Sequence, residues 1–245
     1  MTPIVVIPAR LASTRLPDKP LADIHGRPMI LHVWQRAVEA GVGPVVVACA
    51  EPAIAAAVEQ AGGRAVLTRP DHPSGSDRIW EAVERVDPEA RHDVVVNLQG
   101  DLPNLDPEVL RAVLAPLEDA AVDIATPVAL IEDPSERDDP HVVKAVAAFA
   151  GGRIATAQDF LRRLPPSHSG PAYHHVGIYA YRRAALARFI ALPPSARELE
   201  RKLEQLRAMD DGLRIDLALI DSDPLGVDTP ADLARIRELM APSAG

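Results

Sequence analysis

The sequence has few of the residues that build redox centres, zinc sites or membrane spans. Cys49 is the one cysteine among 245 residues, so the chain forms no internal disulfide and has no second thiol for a zinc site. Aromatic residues are also scarce, at 3%. No apolar run approaches the roughly 20 residues that span a bilayer, and the opening MTPIVVIPAR lacks the features of a signal peptide. These absences predict a cytoplasmic protein with no membrane partner.

The chain also lacks an excess of positive charge. Its formal net charge of -9 argues against a nucleic-acid-binding surface, because phosphate backbones are held by clustered Lys and Arg. With 47% hydrophobic and 25% charged residues, the composition is that of an ordinary globular protein and excludes a disordered or fibrous chain. Any phosphate bound here is expected to be small and locally held.

The first half of the sequence alternates short Val- and Ile-rich runs with longer runs of helical spacing, which predicts an α/β fold around a mostly parallel sheet. The predicted strands are IVVIPA, PVVVAC, RAVLT and DVVVNLQG. The predicted helices are PMILHVWQRAVEAG, ending at Gly41, then PAIAAAVEQAGG, SDRIWEAVERV and DPEVLRAVLAPLED.

After about residue 120 the rhythm changes. VDIATPVAL and VVKAVAAFA follow one another with no obvious helix between them, which suggests an antiparallel excursion or a second lobe. The strand HHVGIYAY, the helix ARELERKLEQLRAM, the strand RIDLALI and the helix TPADLARIRELM complete the chain, with Thr229 and Pro230 suited to cap the last helix. We predict a single domain, 1–245.

In open α/β sheets, ligands bind beyond the carboxyl ends of the strands, and three motifs fall at such places. Arg10, Arg15 and Lys19 follow the first strand, where they form either a solvated basic loop or an anion site. Gln99, Gly100 and Asp101 follow a later strand, and Asp228 precedes the last helix. The glycine patterns of P-loops and dinucleotide sites are absent, so side chains would hold the phosphates.

Asp101 and Asp228 are candidate ligands of Mg2+, which usually takes one or two protein carboxylates and completes its shell with water and phosphate oxygens. The alternative is structural, since Asp is common in turns after strands and Asp228 could cap the last helix.

Six ordered motifs together resemble the bacterial 3-deoxy-manno-octulosonate (Kdo) cytidylyltransferases over nearly the whole chain: IPARLASTRLPDKPL, TRPDHPSGSDRI, VNLQGDLP, HHVGIYAYRR, KLEQLRA and LGVDTPADLARIR. The resemblance implies a Rossmann-like sheet of the nucleotide-diphospho-sugar transferase type with a smaller dimerisation and sugar-binding lobe. The nucleotide half would be about 1–120 plus 210–245, and the lobe about 121–209. It also implies a homodimer that uses CTP and Mg2+ to activate Kdo, or a close 2-keto sugar acid, for lipopolysaccharide.

The resemblance also implies roles for individual residues. The nucleotide-binding residues would be Arg10, Arg15, Lys19, Ser74, Gly75 and Arg78. Arg15, Lys19, Asp101 and Asp228 would be catalytic, with the two aspartates as the metal ligands. The residues around the sugar acid would be Gln99, His175, Tyr179, Glu204 and Gln205.

The chain departs from the family pattern at several places. Asp18 stands where the family usually has Gly, and Cys49 and Ala50 stand for Thr and Asp. Gln158, Asp159 and Phe160 replace an aromatic followed by Ser or Thr and a sugar-binding Arg, so that Arg162 and Arg163 become the candidates for the missing cation. Further changes lie at Leu102, Ala196, Arg197 and Arg201.

Because these departures lie mostly in the sugar and dimer half, two alternatives to a Kdo cytidylyltransferase stay open. One is a catalytically impaired nucleotide-binding paralogue with a regulatory or assembly role. The other is a nucleotidyltransferase with a different acceptor. The sequence leaves the acceptor, the effect of the altered motif near Asp159 and the dimer geometry undetermined.

Overall fold

The computed structural model describes residues 1–222 and 224–241, which form two compact units. The first unit consists of residues 1–110 and 224–241, and the second of residues 111–222. No helix in these described ranges is long and apolar enough to cross a membrane. Each unit has its own sheet strands and helices.

The first unit is built around four parallel strands, in the order Val94–Asn97, Pro3–Ala9, Val45–Cys49 and Arg64–Leu67. The central strand is apolar on both faces, with residues 4–7 at most 2% exposed, as expected for a parallel sheet covered by helices on both sides. A two-stranded ribbon, Asp23–Ile24 and Arg27–Pro28, follows the first loop. The sequence predicted all four long strands correctly.

The helices of the first unit are a 3-10 turn and four longer helices: Lys19–Leu21, Met29–Ala40, Pro52–Gln60, Gly75–Val86 and Pro230–Leu239. Gly41 ends the second of these in the left-handed conformation, with φ 65°, which glycine adopts without strain. Thr229 caps the last helix by accepting from the Asp232 backbone N–H, with Pro230 in its first turn. Both predicted boundaries are confirmed.

The second unit is built around the strand Ile124–Leu130. This strand pairs in parallel with Ile215–Ile220 and antiparallel with Tyr173–His175 and Tyr179–Arg182. The remaining strands are Lys144–Val146, Ile154–Thr156 and Asp159–Leu161. The remaining helices, one of them a 3-10 turn, are Ala115–Glu118, Pro134–Asp138, Arg183–Ala191, Ala196–Arg201 and Gln205–Asp210.

Two helix predictions are corrected by the structure. The predicted helix DPEVLRAVLAPLED is split into Glu108–Ala112 and a 3-10 turn, because Pro116 cannot donate the backbone N–H that a continuous helix needs. The predicted helix ARELERKLEQLRAM is also split. Lys202 takes the left-handed conformation, φ 56°, and ends the first segment. Glu204 and Gln205 therefore begin a second helix.

Three further corrections concern the second unit. A short helix, Pro134–Asp138, does lie between the two runs predicted to be adjacent strands, and Asp133 caps it. The predicted strand HHVGIYAY is interrupted at residues 176–178, and the helix Arg183–Ala191 that follows was not predicted. The strand Ile215–Ile220, assigned by sequence to the nucleotide half, lies in the second unit because it pairs with Ile124–Leu130.

Candidate active site

A cavity of about 400 Å³ opens at the carboxyl ends of the first unit's parallel strands. Its walls come from the loop after the first strand, the start of the helix Gly75–Val86, the turn after Val94–Asn97 and the turn before the last helix. Among the predicted site residues, those that line it are Arg10, Arg15, Lys19, Ser74, Gly75, Arg78, Gln99, Asp101 and Asp228. All the candidates from the first unit therefore meet in one cavity.

Lys19 joins the two aspartates proposed as metal ligands. Its Nζ lies 2.7 Å from Asp101 Oδ2 and 3.0 Å from Asp228 Oδ1. Arg15 adds a second cation, with one guanidinium nitrogen 3.0 Å from Asp228 Oδ2. Burial lowers the pKa of Lys19, but the two carboxylates outweigh burial and raise it above its ordinary value, so the ammonium stays charged.

The two carboxylates fit a divalent cation. Both reach one ammonium nitrogen within 3.0 Å, so their oxygens converge on a point that a small cation can occupy. Within residues 1–222 and 224–241, no group of three or more His, Cys, Asp or Glu residues is arranged so that it could hold a metal ion. A two-carboxylate site suits Mg2+, which leaves the rest of its shell to water and phosphate oxygens.

The loop between the first strand and Lys19 has a backbone feature that accounts for one departure from the family pattern. Asp18 is in the left-handed conformation, with φ 54°. Glycine takes this conformation most easily, and Asp and Asn are among the few other residues that tolerate it. Asp18 is exposed, so its carboxylate remains in contact with solvent.

The helix Gly75–Val86 begins at the cavity. Ser74 is its N-cap, accepting from the Asp77 backbone N–H and donating to the Asp77 carboxylate. Gly75 is the first helical residue, and a Cβ there would sit 3.5 Å from the Pro8 side chain, an ordinary contact. The N-terminus of this helix therefore faces the cavity, where its backbone N–H groups can bind an anion. Arg10, which is exposed, lines the same cavity.

Arg78 has a structural task. It is 2% exposed, and its guanidinium donates to the Thr68 hydroxyl at 2.6 Å and to the carbonyls of Arg69 and Pro70 at 3.1 and 3.4 Å. Burial lowers the pKa of Arg78. Arg78 therefore fixes the segment 68–70 beside the cavity.

His72 also lines the cavity and was not predicted. It is buried and hydrogen-bonded to Glu81, whose carboxylate also accepts from the Arg69 backbone N–H at 3.1 Å. The sequence feature that could have identified His72 is its position in the motif TRPDHPSGSDRI, which contains three of the residues predicted to bind the nucleotide.

The turn after Val94–Asn97 brings two strand ends into contact. A Cβ on Gly100 would lie 2.9 Å from the Pro8 carbonyl oxygen and 3.4 Å from Ile30 Cδ1, so this position accepts no side chain without a shift of backbone. Gln99 donates to Asn97 Oδ1 at 3.3 Å. The close approach at Gly100 places Asp101 where Lys19 reaches it.

The remaining sugar-site candidates lie in the second unit. The ring centroids of His175 and Tyr179 are 5.4 Å apart, so these two candidates lie side by side even though the strand between them is interrupted. Burial raises the pKa of Tyr179, and Tyr181 and Glu204 raise it further, which places Glu204 within electrostatic reach. Gln205 is buried, and its Nε2 has no hydrogen-bond partner among the described residues.

The two arginines proposed as substitutes for the family's missing cation differ in their surroundings. Arg162 is engaged, because its guanidinium donates to the backbone carbonyls of Pro140, Arg201 and Lys202 at 2.9 to 3.2 Å. Arg163 is exposed and lines a separate cavity of about 240 Å³.

Three of the departures from the family pattern form one ionic cluster. The Asp159 carboxylate accepts from Arg197 at 2.5 Å and from Arg201 at 2.8 and 2.9 Å. Arg197 also donates to Asp210 at 2.6 Å. These three residues therefore pair with one another, and the cluster joins the strand Asp159–Leu161 to the helix Ala196–Arg201.

Comparisons with known proteins agree with one another. A family model described as "Cytidylyltransferase" matches residues 4–215. The 3-deoxy-manno-octulosonate cytidylyltransferase of Rhodospirillum centenum is 63% identical, over 99% of this chain and 95% of the relative. The protein of that name from Paramagnetospirillum magneticum is 59% identical over 98% of each chain. A solved structure of CMP:2-keto-3-deoxy-manno-octonic acid synthetase complexed with CTP superposes with a TM-score of 0.90 at 40% identity, covering 98% of this chain and 99% of its own.

Proposed function

The chain belongs to the cytidylyltransferase family, and from this premise we propose that it activates Kdo with CTP, giving CMP-Kdo and pyrophosphate. The observation that carries the proposal is the cavity of the first unit, where three arginines, one lysine and two aspartates meet. It is supported by the two relatives described above, 59% and 63% identical over nearly their whole length, which bear the 3-deoxy-manno-octulosonate cytidylyltransferase name.

The cations of the cavity suit a triphosphate. Arg10 and Arg15 are exposed, and their guanidinium groups can each donate two hydrogen bonds to phosphate oxygens. Lys19 carries a compact positive charge on a flexible side chain, so it can follow a phosphate group. Ser74 and Gly75 open a helix whose N-terminal N–H groups favour an anion. Arg78 contributes by holding the neighbouring segment 68–70. We assign these six residues to CTP.

Asp101 and Asp228 are the residues that would hold Mg2+, because their carboxylate oxygens already converge on one cation. When bound there, Mg2+ would neutralise phosphate charge and lower the pKa of a coordinated hydroxyl. The protein itself contributes Lys19, whose ammonium group would leave the two carboxylates and pair with the phosphate oxygens.

We assign the sugar acid to Gln99, His175, Tyr179, Glu204 and Gln205. The unpartnered Nε2 of Gln205 is a buried donor, which costs about 1 to 3 kcal/mol unless a ligand oxygen satisfies it. The paired changes at Asp159, Arg197 and Arg201 favour an intact sugar half over an impaired paralogue.

In the proposed reaction the anomeric hydroxyl of the sugar acid attacks the α-phosphorus of CTP and loses its proton to water, the bond from that phosphorus to the bridging oxygen breaks, and pyrophosphate leaves. Nucleotidyl transfer needs little covalent help from protein, so positioning and charge neutralisation carry the catalysis. Arg15 and Lys19 stabilise the charge that develops on the leaving pyrophosphate. No side chain needs to form a covalent intermediate.

The direct test is pyrophosphate release with CTP, Mg2+ and a panel of 2-keto sugar acids. We expect turnover with Kdo that is faster than turnover with the other acids. Turnover only with another acid would change the acceptor. Binding of CTP with no turnover of any acid would favour the nucleotide-binding paralogue and overturn the proposal.

Replacing either metal-site aspartate tests the assignment of the catalytic carboxylates. Asp101→Asn and Asp228→Asn should each lower kcat at least about a hundredfold, because one ligand of the cation is lost. The fold should persist, since these side chains are 26% and 46% exposed. Asp18→Asn, which removes an exposed carboxylate from the loop that leads to Lys19, is the matched control. Retained activity in either variant would remove that aspartate from the site.

We further propose a homodimer located in the cytoplasm, supplying lipopolysaccharide synthesis, as the family resemblance implies. Sedimentation equilibrium of the full chain should give twice the mass of 26.3 kDa. A monomer at assay concentrations with full activity would contradict the dimer. Fractionation of cells that carry the tagged protein tests its location.

A further inference from the structure

A fully buried threonine hydroxyl in the second unit faces three hydrogen-bond partners. Thr126 is 0% exposed, and its Oγ1 lies 3.0 Å from His175 Nε2, 3.2 Å from the Val176 carbonyl oxygen and 2.7 Å from the Ile178 carbonyl oxygen. The two carbonyls belong to the segment that interrupts the strand. One side chain therefore contacts both the bend and the histidine ring.

Counting protons determines the direction of each bond. A hydroxyl group has one proton, and carbonyl oxygens only accept, so the Thr126 proton goes to a carbonyl, with Ile178 the nearer. Its oxygen must then accept from His175, whose Nε2 therefore carries a proton. The opposite arrangement would leave the hydroxyl lone pairs pointing at carbonyl lone pairs 2.7 Å away, which is repulsive.

The histidine ring has only that one proton. Burial lowers the pKa of His175 to about 3, so the ring is neutral at physiological pH. The rings of Phe160 and Tyr179 flank it, with centroids 4.9 and 5.4 Å away. In the part of the chain that the structure describes, Nδ1 has no hydrogen-bond partner.

We propose that Thr126 is a positioning residue that holds His175 in the tautomer protonated at Nε2, which leaves Nδ1 to accept a hydrogen bond from a hydroxyl group of the sugar acid. The second half of this inference rests on the proposed function of His175. The lone pair on Nδ1 attracts a hydroxyl donor and repels a carboxylate oxygen. His175 thus selects for a hydroxyl and does not bind the acid group.

The tautomer is measured without substrate. Long-range 1H–15N correlation spectra of the free, 15N-histidine-labelled protein should show His175 with the pattern of the Nε2–H tautomer, assigned by its loss in His175→Gln. A pattern of Nδ1–H, or of a doubly protonated ring near neutral pH, overturns the inference whatever the activity assays give. This measurement uses the wild-type side chain at position 126, so it does not depend on whether a variant folds.

The positioning role is measured with a matched pair. Thr126→Val removes the hydroxyl and keeps the shape, whereas Thr126→Ser keeps the hydroxyl. Thr126→Val should mix the His175 tautomers and raise KM for the sugar acid about tenfold, with KM for CTP unchanged, because one hydrogen bond is lost. Thr126→Ser should keep the tautomer and stay within about threefold of wild type.

The outcomes separate this inference from the proposed function. A wild-type tautomer and an unchanged KM in Thr126→Val overturn the positioning role. If Thr126→Val fails to fold, a changed tautomer in Thr126→Ser overturns it as well. If the wild type turns over no sugar acid, the proposed function fails, and the half of the inference that concerns a sugar hydroxyl fails with it. The spectra of Thr126→Val and Thr126→Ser then decide whether Thr126 sets the tautomer.

Discussion

Lys19 occupies, through its ammonium group, the place between Asp101 and Asp228 that a divalent cation would take. Two positive groups within a few ångströms of each other repel strongly at a half-buried site. If the two aspartates bind the metal as proposed, metal binding by the free protein would displace Lys19, and the triphosphate would offer the displaced ammonium a new partner.

We predict that Lys19→Met strengthens binding of Mn2+ to the free protein while lowering kcat. The competing cation is gone, but so is its interaction with the leaving pyrophosphate. Titration of Mn2+ followed by electron paramagnetic resonance measures the first effect without any turnover. Lys19→Arg retains the charge and is the control that should bind Mn2+ as weakly as wild type. Equal Mn2+ affinity in all three proteins would show that Lys19 does not compete for the carboxylates.

At the scale of secondary-structure elements, an ionic cluster joins the strand Asp159–Leu161 to the helix Ala196–Arg201. Asp159 binds Arg197 and Arg201, and Arg201 also donates to the Phe160 carbonyl at 3.2 Å. The chain then turns at Lys202 into the residues assigned to the sugar acid. We infer that the cluster fixes the position of that turn, because it anchors the helix that ends there.

Asp159→Asn should raise KM for the sugar acid several-fold and leave KM for CTP unchanged. Because the groups of the cluster are roughly a third exposed, the loss of stability should be only about 1 kcal/mol. Steady-state kinetics and urea denaturation measure the two effects. Asp221→Asn, which breaks the exposed pair with Arg153 in the same unit, is the control. Equal rises in both KM values would instead indicate a general disturbance of the fold.

The helices Ala196–Arg201 and Gln205–Asp210 are joined by a second pair, Glu198 with Arg207. The Arg207 guanidinium donates to both oxygens of Glu198 at 2.6 and 2.7 Å, and both side chains are nearly buried. The hydrogen bond from Arg207 holds the pKa of Glu198 below its ordinary value of 4.5. A lowered pKa means that this stabilisation is present above about 4.5 and is lost as the pH falls through the lower, folded value.

Glu198→Gln should therefore cost about 2 kcal/mol of unfolding free energy at neutral pH, and this difference from wild type should shrink as the pH is lowered below 4.5. Urea denaturation across that pH range measures it. Glu200→Gln, at an exposed position of the same helix, should cost much less at any pH. A difference for Glu198→Gln that is independent of pH would exclude the carboxylate charge as its cause.

At the scale of the whole molecule, a ligand that binds only the folded chain raises the melting temperature by mass action. CTP with Mg2+ at about a hundred times its Kd should add about 2.7 kcal/mol, which for a chain of this size corresponds to roughly 5 to 10 °C. Differential scanning fluorimetry measures the shift. UTP and ATP at the same concentration should give smaller shifts, and an equal or larger shift with either would contradict the preference for cytidine.

The sequence predicted the four parallel strands of the first unit, several helix ends and the meeting of the first-unit candidates at one edge of the sheet, because those depend on local patterns and on the rule that ligands lie beyond strand ends. The sequence did not predict which residues far apart along the chain contact one another. Lys19 meets Asp101 and Asp228 across 82 and 209 residues. The changes at Asp159, Arg197 and Arg201 read as separate departures, because no local pattern pairs residues 38 and 42 positions apart. The left-handed Lys202 likewise interrupts a sequence of good helix formers.

Gly100 has a consequence for variation of this protein. The absent side chain is what lets the turn after Val94–Asn97 approach the end of the adjacent strand Pro3–Ala9, so any replacement would push that turn away from the Pro8 carbonyl. In a saturation library selected for growth, position 100 should therefore carry almost no tolerated substitutions. Arg10 and Asp18 are both exposed, but their tolerance to substitution should differ. Position 18 should accept Gly and Asn, whereas position 10 should keep Arg because of its charge.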